Sequence, residues 1–328
     1  ALRAQARGYG KGRLDPWDLL APAPAPEGAP PAQLRTFEEG IDIIKRAVGE
    51  VHPSMADFVQ MMVDKRWIEA SSGGAKRPGA YCTKFAGSRT PRVYLSVYAG
   101  TNGDILTLAH ELGHAYHNHV MADLPLSQSA YPMCLAETAS IMFETIVGDA
   151  LLREAGSDAE RLEFLHLDAE SAGAFLVNIP ARFTLEKAYM GRREAARLTA
   201  AEFTEETSAA FDKYYLDTLS TADERFWQWK LHFYISGLEF YNWPYSFGYL
   251  FALGVYAQKE RLGAGFYESY VALLRDTGRM SSEDVVKTHL GRDITSQEFW
   301  LDSIRMVEKK ISAYEDAVAA CCPAVVKA

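Results

Sequence analysis

Apolar residues recur with the period of an α-helix over almost all of the sequence after Asp104. This pattern predicts a series of helices, with approximate ranges 104–119, 131–155, 158–177, 180–196, 202–219, 221–234, 244–261, 264–276, 281–289 and 295–320. Ahead of them, two segments favour strands, Ala80–Phe85 and Arg92–Tyr98, the second because it alternates and is rich in β-branched and aromatic residues. The predicted fold class is mainly α, with one small β-sheet just before the first of these helices.

The N-terminal part of the sequence predicts a short segment joined to a main domain. Residues 21–26 alternate alanine with proline, and Pro30 and Pro31 follow. Each proline removes a backbone donor and restricts the residue before it, so we predict an extended strap over 21–31. Thr36 is typical of a helix N-cap, with Glu39 three residues later. We therefore predict an N-terminal segment with its strap over 1–35 and one catalytic domain over 36–328. The sequence starts with Ala1 instead of methionine, so we expect a processed chain or a fragment of a longer protein.

The charge and apolar content exclude several classes of partner. Asp and Glu together number 43 against 34 Lys and Arg, a formal net charge of -9. Such an acidic chain is unsuited to a nucleic-acid backbone or to an anionic membrane surface. No segment has the roughly 18 uninterrupted apolar residues that a membrane span needs. The 4 cysteines match neither a disulfide framework nor a zinc knuckle, which favours a reducing cytoplasm as the location.

The segment Ala109–His114 contains the pattern His-Glu-x-x-His. Residues four apart on a helix lie on one face, so the imidazoles of His110 and His114 can reach one metal ion. Glu111 beside the first histidine can address a metal-bound water as general base. Zn²⁺ lowers the pKa of such a water to roughly 7. The pattern predicts one Zn²⁺ per chain, although a surface helix with two solvated histidines is the alternative. The apolar flank Ile105–Ala109 disfavours that alternative, because it indicates a buried helix.

A catalytic zinc needs a third protein ligand besides its open position. Val120 stands where the extended zinc motif has a third histidine, so that class is excluded. Glu137 and Glu144 lie in the otherwise apolar or small segment Cys134–Glu144, and a buried carboxylate requires a cation or a hydrogen-bond network. We predict Glu137 as the third metal ligand and Glu144 as a residue that orients a ligand histidine. The alternative for each carboxylate is a buried Arg or Lys partner.

Four separated blocks of the sequence resemble the thimet oligopeptidase family of zincins, peptidase family M3, and in particular its oligoendopeptidase F branch. They are Thr107–His117, Ala136–Glu144, the loop Lys76–Tyr81, and His232–Tyr234 with Phe240–Tyr245. The resemblance extends from about residue 15 to about residue 310. It implies a zincin-type helical domain with a deep substrate channel over the zinc, which admits short unstructured peptides.

The resemblance also implies roles for individual residues. His110, His114 and Glu137 become zinc ligands and Glu111 the base. The carried-over residues that stabilise the oxyanion are His232, Tyr241 and Tyr245, with Tyr249 competing for the place of Tyr245, and those that bind substrate are Gly79, Ala80, Tyr81 and Tyr234. Family members have a sizeable helical N-terminal region that this sequence lacks. We therefore expect either a truncated form, with that region as a partner, or a shorter member with a more open channel.

The tyrosine cluster also makes chemical sense by itself, because phenol and imidazole donors stabilise the negative oxygen that forms when a peptide carbonyl is attacked. The alternative is that most of these aromatic residues are core. We expect the substrate to add itself as a strand along the edge formed by residues 93–98, with the loop Gly79–Tyr81 covering the other side.

The resulting prediction is a cytoplasmic zinc endopeptidase that cuts internal bonds of short oligopeptides by a zinc-bound water that Glu111 activates. Two alternatives stay open at this point. One is a related zinc carboxypeptidase, and the other is a non-catalytic peptide-binding protein with a vestigial motif.

Overall fold

A computed structural model describes residues 1–25, 28, 33–237 and 239–322. Helices dominate these residues and confirm the predicted mainly α class. The α-helices are α1 (Leu2–Gly8), α2 (Phe37–Gly49), α3 (Pro53–Asp64), α4 (Asn102–Val120), α5 (Met133–Ala136), α6 (Thr138–Glu154), α7 (Asp158–Gly173), α8 (Ile179–Arg193), α9 (Ala200–Tyr215), α10 (Phe226–Trp229), α11 (Trp243–Tyr256), α12 (Gln258–Leu262), α13 (Phe266–Asp276), α14 (Ser282–Leu290) and α15 (Gln297–Cys321). The strands are β1 (Ile68–Glu69), β2 (Ala80–Phe85) and β3 (Thr90–Leu95). Of the predicted strap over 21–31, residues 26, 27 and 29–31 lie outside the described residues.

The sheet has the strand order β1-β3-β2, so β3 is its central strand. β3 runs parallel to β1 and antiparallel to β2. The prediction that residues 93–98 form a free edge is wrong for Val93 and Tyr94, because each pairs with β1 on one side and with β2 on the other. Among the strands that the structure describes, β2 has a neighbour on one side only. The sheet lies against α4, as predicted for the strands that precede the motif.

Two helices of this region begin at capping boxes. Thr36 accepts a hydrogen bond from the Glu39 amide while the Glu39 carboxylate accepts one from the Thr36 amide, which confirms the predicted cap of α2. Thr101 and Asp104 form the same reciprocal pair at the start of α4. Each pair satisfies amide groups that a helix start leaves unbonded, and so fixes the residue at which the helix begins.

The chain divides into two compact units, each built from separate stretches of sequence. The first unit comprises Ala1–Ala29, Ala155–Phe247 and Val307–Ala328, and the second comprises Pro30–Glu154 and Gly248–Met306. A central cluster of buried side chains in the first unit consists of Ala6, Leu14, Ala181, Phe211, Tyr215, Leu219 and Phe226. In the second unit α4 packs against α6, α2 and the sheet. The predicted boundary between residues 35 and 36 stays a prediction.

Two predicted helices of the first unit join into one. α7 continues through a π-helical turn, Ala174–Asn178, directly into α8. Pro180 explains the turn, because proline has no amide hydrogen and its ring crowds the carbonyl four residues earlier. The carbonyl of Phe175 accepts a hydrogen bond from the Ser246 hydroxyl instead.

The predicted helix over 221–234 is wrong. Only α10 and a 3-10 turn, Leu231–Tyr234, form there, because Lys230 takes an extended conformation between them, with φ -80° and ψ 101°. Across the described residues, none of the helices is both long enough and apolar enough to cross a membrane.

Candidate metal centre

The first two predicted ligands lie one turn apart on α4. The Thr101 cap fixes the residue at which this helix begins. His110 and His114 lie on the face of α4 that meets Glu137, and His110 also contacts Glu144. Their side chains are partly exposed, 23% for His110 and 19% for His114. A ligand in solution can therefore reach both imidazoles.

Glu137 lies at a break between two helices. The sequence predicts it inside one helix over 131–155, but α5 ends at Ala136 and α6 begins at Thr138, while Glu137 itself has φ -85° and ψ 1°. The Thr138 hydroxyl donates to the Leu135 carbonyl at 2.8 Å and so satisfies a carbonyl at the end of α5. The break in the helix therefore does not leave the Leu135 carbonyl without a hydrogen bond.

Two glycines make room for Glu137 and its helix. A Cβ atom on Gly113 would lie 2.4 Å from the Ala139 carbonyl oxygen, so glycine is what lets α4 approach the start of α6. The start of α6 therefore occupies the space beside Gly113. A Cβ atom on Gly248 would lie 2.7 Å from the Cβ of Glu137. Glycine at these two positions therefore lets α4 approach the start of α6 and lets α11 approach the Glu137 side chain.

The three predicted ligands converge. The Oε2 atom of Glu137 lies 3.2 Å from His110 Nε2 and 3.4 Å from His114 Nε2. One donor atom from each of the three residues lies within 4.8 Å of the other two. Two imidazoles and one carboxylate are a ligand set of catalytic zinc sites. Neither Glu137 nor Glu144 has an Arg or Lys partner among the described residues, so the predicted alternative is not observed there.

Two further side chains orient the ligands. Glu144 Oε2 lies 2.9 Å from His110 Nδ1, so this carboxylate accepts from Nδ1 and orients the ring with Nε2 toward Glu137. Ser140, which the sequence analysis missed, donates from Oγ to Glu137 Oε2 at 2.8 Å. The spacing of three residues between Glu137 and Ser140 near a helix start is the signal that could have indicated this contact.

The carboxylates of Glu137 and Glu144 favour a proton on His110. Burial disfavours a charged His110, but hydrogen bonds and charges from Glu137 and Glu144 outweigh it and raise the pKa of His110 well above its usual range. Burial lowers the pKa of His114 to about 4. Burial opposes ionisation of Glu137, yet its contacts with the two histidines bring its pKa to about 2. The pocket therefore contains carboxylates that require a cation, which a divalent ion can supply in place of the proton.

Glu111 has the surroundings of a base. Its side chain is buried, at 6% exposure, and burial raises its pKa to about 7. The Oε2 atom has no hydrogen-bond partner among the residues that the structure describes. A buried carboxyl oxygen without a partner is costly, and such atoms mark functional sites. This orphaned oxygen beside the three donors fits a site that binds a metal ion.

His232, Tyr241 and Tyr245 lie together in the first unit. The ring of His232 is 5.0 Å from that of Tyr241 and 6.1 Å from that of Tyr245. His232 Nδ1 lies 3.0 Å from Oδ1 of the buried residue Asn242. The structure thus brings the three residues into contact with one another, and their role as oxyanion donors stays a prediction. Tyr249, the competing residue, is buried in the second unit at 9% exposure.

The predicted substrate-binding residues divide between the units. Gly79, at φ +103°, precedes β2 and exchanges hydrogen bonds with Ser96. Ala80 and Tyr81 begin β2, where Tyr81 is half-exposed and stacks on the next strand. Tyr234 belongs to the first unit, is 57% exposed and donates its hydroxyl to the Trp227 carbonyl at 2.6 Å. Their contact with substrate stays a prediction.

Comparison with known proteins identifies the family. The model for peptidase family M3 matches residues 5–306. The chain belongs to peptidase family M3. The predicted family and its oligoendopeptidase F branch are confirmed.

Relatives within family M3 are much longer than this chain. Oligopeptidase PepF of Bacillus subtilis is 25% identical over 286 residues, which cover 86% of this chain and 42% of PepF. Chromosomal oligoendopeptidase F of Lactococcus lactis subsp. cremoris is 25% identical over 288 residues, covering 86% of this chain and 46% of the relative. The chain therefore spans less than half the length of these curated relatives.

Solved structures of similar fold agree with the helical architecture of the M3 chain. PZ peptidase A with an inhibitor superposes with a TM-score of 0.76 at 19% identity, over 95% of this chain and 55% of that protein. A candidate peptidase from Chlamydophila abortus superposes with a TM-score of 0.77 at 23% identity, over 96% of this chain and 52% of that protein. These likenesses show the fold.

Proposed function

We propose that this chain is the catalytic part of a zinc-dependent endopeptidase that hydrolyses internal bonds of short, unstructured oligopeptides. Membership of peptidase family M3 supports a peptidase, and the names of the relatives support oligopeptides as substrates. One observation carries the proposal. His110, His114 and Glu137 converge within 4.8 Å, beside the unpartnered buried oxygen of Glu111.

Glu111, the proposed base, accepts a proton and later returns it during hydrolysis. His110, His114 and Glu137 would hold the zinc ion, which when bound would polarise the peptide carbonyl and lower the pKa of water. Glu111 accepts a proton from the attacking water on Oε2, which has no hydrogen-bond partner among the described residues. The same carboxyl then delivers this proton to the nitrogen of the leaving amine. A pKa of about 7, raised by burial, suits both transfers at neutral pH.

The cluster of His232, Tyr241 and Tyr245 contains groups of the kind that stabilise an oxyanion. Because His232 Nδ1 faces Asn242 Oδ1, the neutral ring presents a lone pair at Nε2. Burial lowers the pKa of His232 and favours this neutral form. The hydroxyl groups of Tyr241 and Tyr245 are then the donors that need no change of protonation, and His232 accepts from or orients its neighbours.

The substrate binds along β2. This strand has a neighbour on one side only within the described part of the sheet, so a peptide can pair with its other side. Cys82 in the same strand is close enough to Glu111 for the carboxylate charge to act on its thiol. That proximity supports β2, which Gly79 directly precedes, as the strand that lies beside the peptide bond to be hydrolysed. The cytoplasmic location stays a prediction.

Metal content and a cleavage map test the proposal together. We expect the purified chain to carry about one zinc by inductively coupled plasma mass spectrometry, and to cut a quenched nonapeptide at internal bonds. Stepwise loss of single C-terminal residues would favour the carboxypeptidase alternative. A chain that binds no zinc and cleaves nothing after metal is added would leave the peptide-binding alternative.

A further inference from the structure

The first unit contains a cavity of about 200 Å³ that the proposed hydrolysis does not use. It lies between α1, the Pro16–Leu20 turn, the π-helical turn, and helices α7 to α10. Much of its wall is apolar, with contributions from Leu2, Leu19, Leu20, Phe211, Phe226 and Trp229. A volume below the roughly 300–1,000 Å³ of drug-sized pockets limits a ligand to one or two amino-acid residues in size.

Arg182 lines this cavity with an unneutralised charge. Its guanidinium lies 4.9 Å from the centre of the Phe226 ring, and Nη1 donates to Asn242 Oδ1 at 3.3 Å. Nε has no partner among the described residues. Burial lowers the pKa of Arg182 to about 10, and the groups that act against this effect are Tyr215 and Tyr245, not a carboxylate. A buried guanidinium without a counter-charge is costly, and a carboxylate matches its forked donors.

Asn178 stands one helical turn before Arg182 and also lines the cavity. Its Nδ2 donates to the Tyr215 hydroxyl at 2.8 Å, while its Oδ1 is buried without a partner among the described residues. Asn178 ends the π-helical turn, and π-helical turns are frequent at functional sites. Arg182 and Asn178 therefore leave one donor atom and one acceptor atom unsatisfied beside the cavity.

Two acidic groups add the opposite charge. Glu170 and Asp223 line the cavity, and burial raises the pKa of each. Neither acts on Arg182. Glu170 is exposed at its end of the cavity, whereas Asp223 is half-buried. A simple anion such as phosphate would leave Asp223 without a cation, and a hydrocarbon would leave Arg182 without an anion. A zwitterion with an apolar side chain satisfies both ends and the apolar wall.

We propose that this cavity binds a zwitterionic hydrophobic ligand, either a free amino acid or a dipeptide, with its carboxylate on Arg182 and its ammonium group toward Glu170 and Asp223. Such molecules are the class of compound that hydrolysis of short peptides releases. The site lies wholly within the first unit and contains none of the proposed zinc ligands, although Asn242 joins Arg182 to His232. Binding measurements therefore test this proposal, whatever the result of the catalytic test.

Calorimetry on the full chain tests the ligand class. The probes are L-leucine and L-leucyl-L-leucine, which distinguish an amino acid from a dipeptide, together with leucinamide and N-acetylleucine, which each lack one charge. We expect saturable binding of leucine or of the dipeptide, and at least a tenfold weaker affinity for both blocked analogues. Absence of saturable binding of both zwitterions up to about 10 mM would overturn the proposal, as would equal affinity for the blocked analogues.

Two pairs of variants test the location. Arg182→Gln should weaken binding at least tenfold, whereas Arg193→Gln, at an exposed position of the same helix, should not. Gly173→Leu should fill the cavity, because an added Cβ there meets no atom within 4 Å, and Gly191→Leu is its control with equally open space. Circular dichroism and thermal melts verify folding. If Arg182→Gln does not fold, Gly173→Leu decides, and binding that survives Gly173→Leu refutes the site.

Discussion

Glu111 and Glu137 are neighbouring carboxyl groups whose surroundings move their pKa values in opposite directions. Burial dominates at Glu111 and raises its pKa to about 7. At Glu137 burial is outweighed by the hydrogen bond and charge of His110 and by the charge of His114, and the pKa falls to about 2. A group that is always ionised suits a metal ligand, and one that titrates near neutrality suits a base.

This division of roles predicts different losses in two variants. Glu111→Gln should keep its zinc, because Glu111 is not one of the three converging donors, yet lose several orders of magnitude in kcat. Glu137→Ala should lose zinc affinity. Metal analysis after dialysis and single-turnover peptide cleavage measure both effects, and near-normal turnover by Glu111→Gln would refute the assigned base.

Ser140 should tune the affinity of the site for metal. Its hydroxyl holds Glu137 Oε2 at 2.8 Å, so we expect Ser140→Ala to weaken zinc binding by about 10–100-fold, as for other residues that orient metal ligands. Competition with a chromophoric chelator measures the affinity of the metal-free protein.

The matched control for Ser140 is Thr138→Ala. Both hydroxyl residues are fully buried near the start of α6, and both donate to a backbone carbonyl, but Thr138 donates to Leu135 and no contact joins it to the ligand carboxylate. Equal losses of zinc affinity in the two variants would mean that helix packing, not ligand orientation, is responsible.

His117 should make folding stability depend on pH. It is buried, hydrogen-bonded to the Leu274 carbonyl and Thr277, and stacked on Tyr131. Burial lowers its pKa to about 3, whereas the unfolded chain has a value of about 6.5. Between these two pKa values the unfolded state binds a proton that the folded state does not bind. The contribution of neutral His117 to the free energy of unfolding is therefore present above about pH 6.5 and lost as the pH falls toward 3.

Denaturant unfolding at several pH values measures this dependence. Between these two pKa values one histidine contributes a slope of up to about 1.4 kcal/mol per pH unit. His117→Gln should have a shallower slope than the parent chain, even if its stability at neutral pH is lower. Identical slopes would show that His117 does not carry the effect.

At the scale of elements, the contact between α4 and α6 depends on one missing side chain. A Cβ on Gly113 would meet the Ala139 carbonyl oxygen at 2.4 Å and the Ser140 Cα at 2.6 Å, so Gly113→Ala must push the two helices apart. We expect a loss of about 1–3 kcal/mol in the free energy of unfolding and weaker zinc binding, because the ligands sit on both helices.

Gly148→Ala provides the comparison within α6. An added Cβ there makes only an ordinary contact, 3.7 Å from Leu106, so helix propensity should stabilise the chain by up to about 1 kcal/mol. Chemical denaturation of the two variants measures the difference. A Gly113→Ala protein as stable as Gly148→Ala would contradict the packing described for α4 and α6.

The elements with local signals could be predicted from the sequence. The cap at Thr36 and the two ligands on α4 follow from residue types at fixed spacing. The break at Glu137 could not be predicted, because its surroundings have helical periodicity and the break depends on a hydroxyl that takes over a carbonyl. The central place of β3 escaped prediction because β1 has only 2 residues, too few for a pattern.

At the scale of the whole molecule, metal should contribute to stability. A ligand that binds the folded state stabilises it by RT ln(1 + [L]/Kd), about 4 kcal/mol when the free metal is 1,000 times Kd. We expect chelation to lower the melting temperature and added zinc to restore it, as measured by scanning fluorimetry. The Glu137→Ala variant should show no such shift, and a chelation-insensitive parent chain would contradict a structurally linked metal site.

The division into two units could not be predicted from local patterns. The helical periodicity is the same in both units, and membership of a unit depends on contacts between distant stretches. The polar groups of the cavity escaped the sequence analysis for the same reason. Asn178 and Arg182 are close in sequence, but Glu170 and Asp223 join them only through the fold.

The interleaving of the units has a consequence for biosynthesis. His166 contacts Tyr314, Asp168 pairs with Lys310, and the amino group of Ala1 lies 3.5 Å from Glu315. The face of α7 that carries His166 and Asp168 therefore stays uncovered on the ribosome until α15 has been translated. A nascent chain stalled before that helix would be a client for chaperones, even though every proposed zinc ligand has long since emerged.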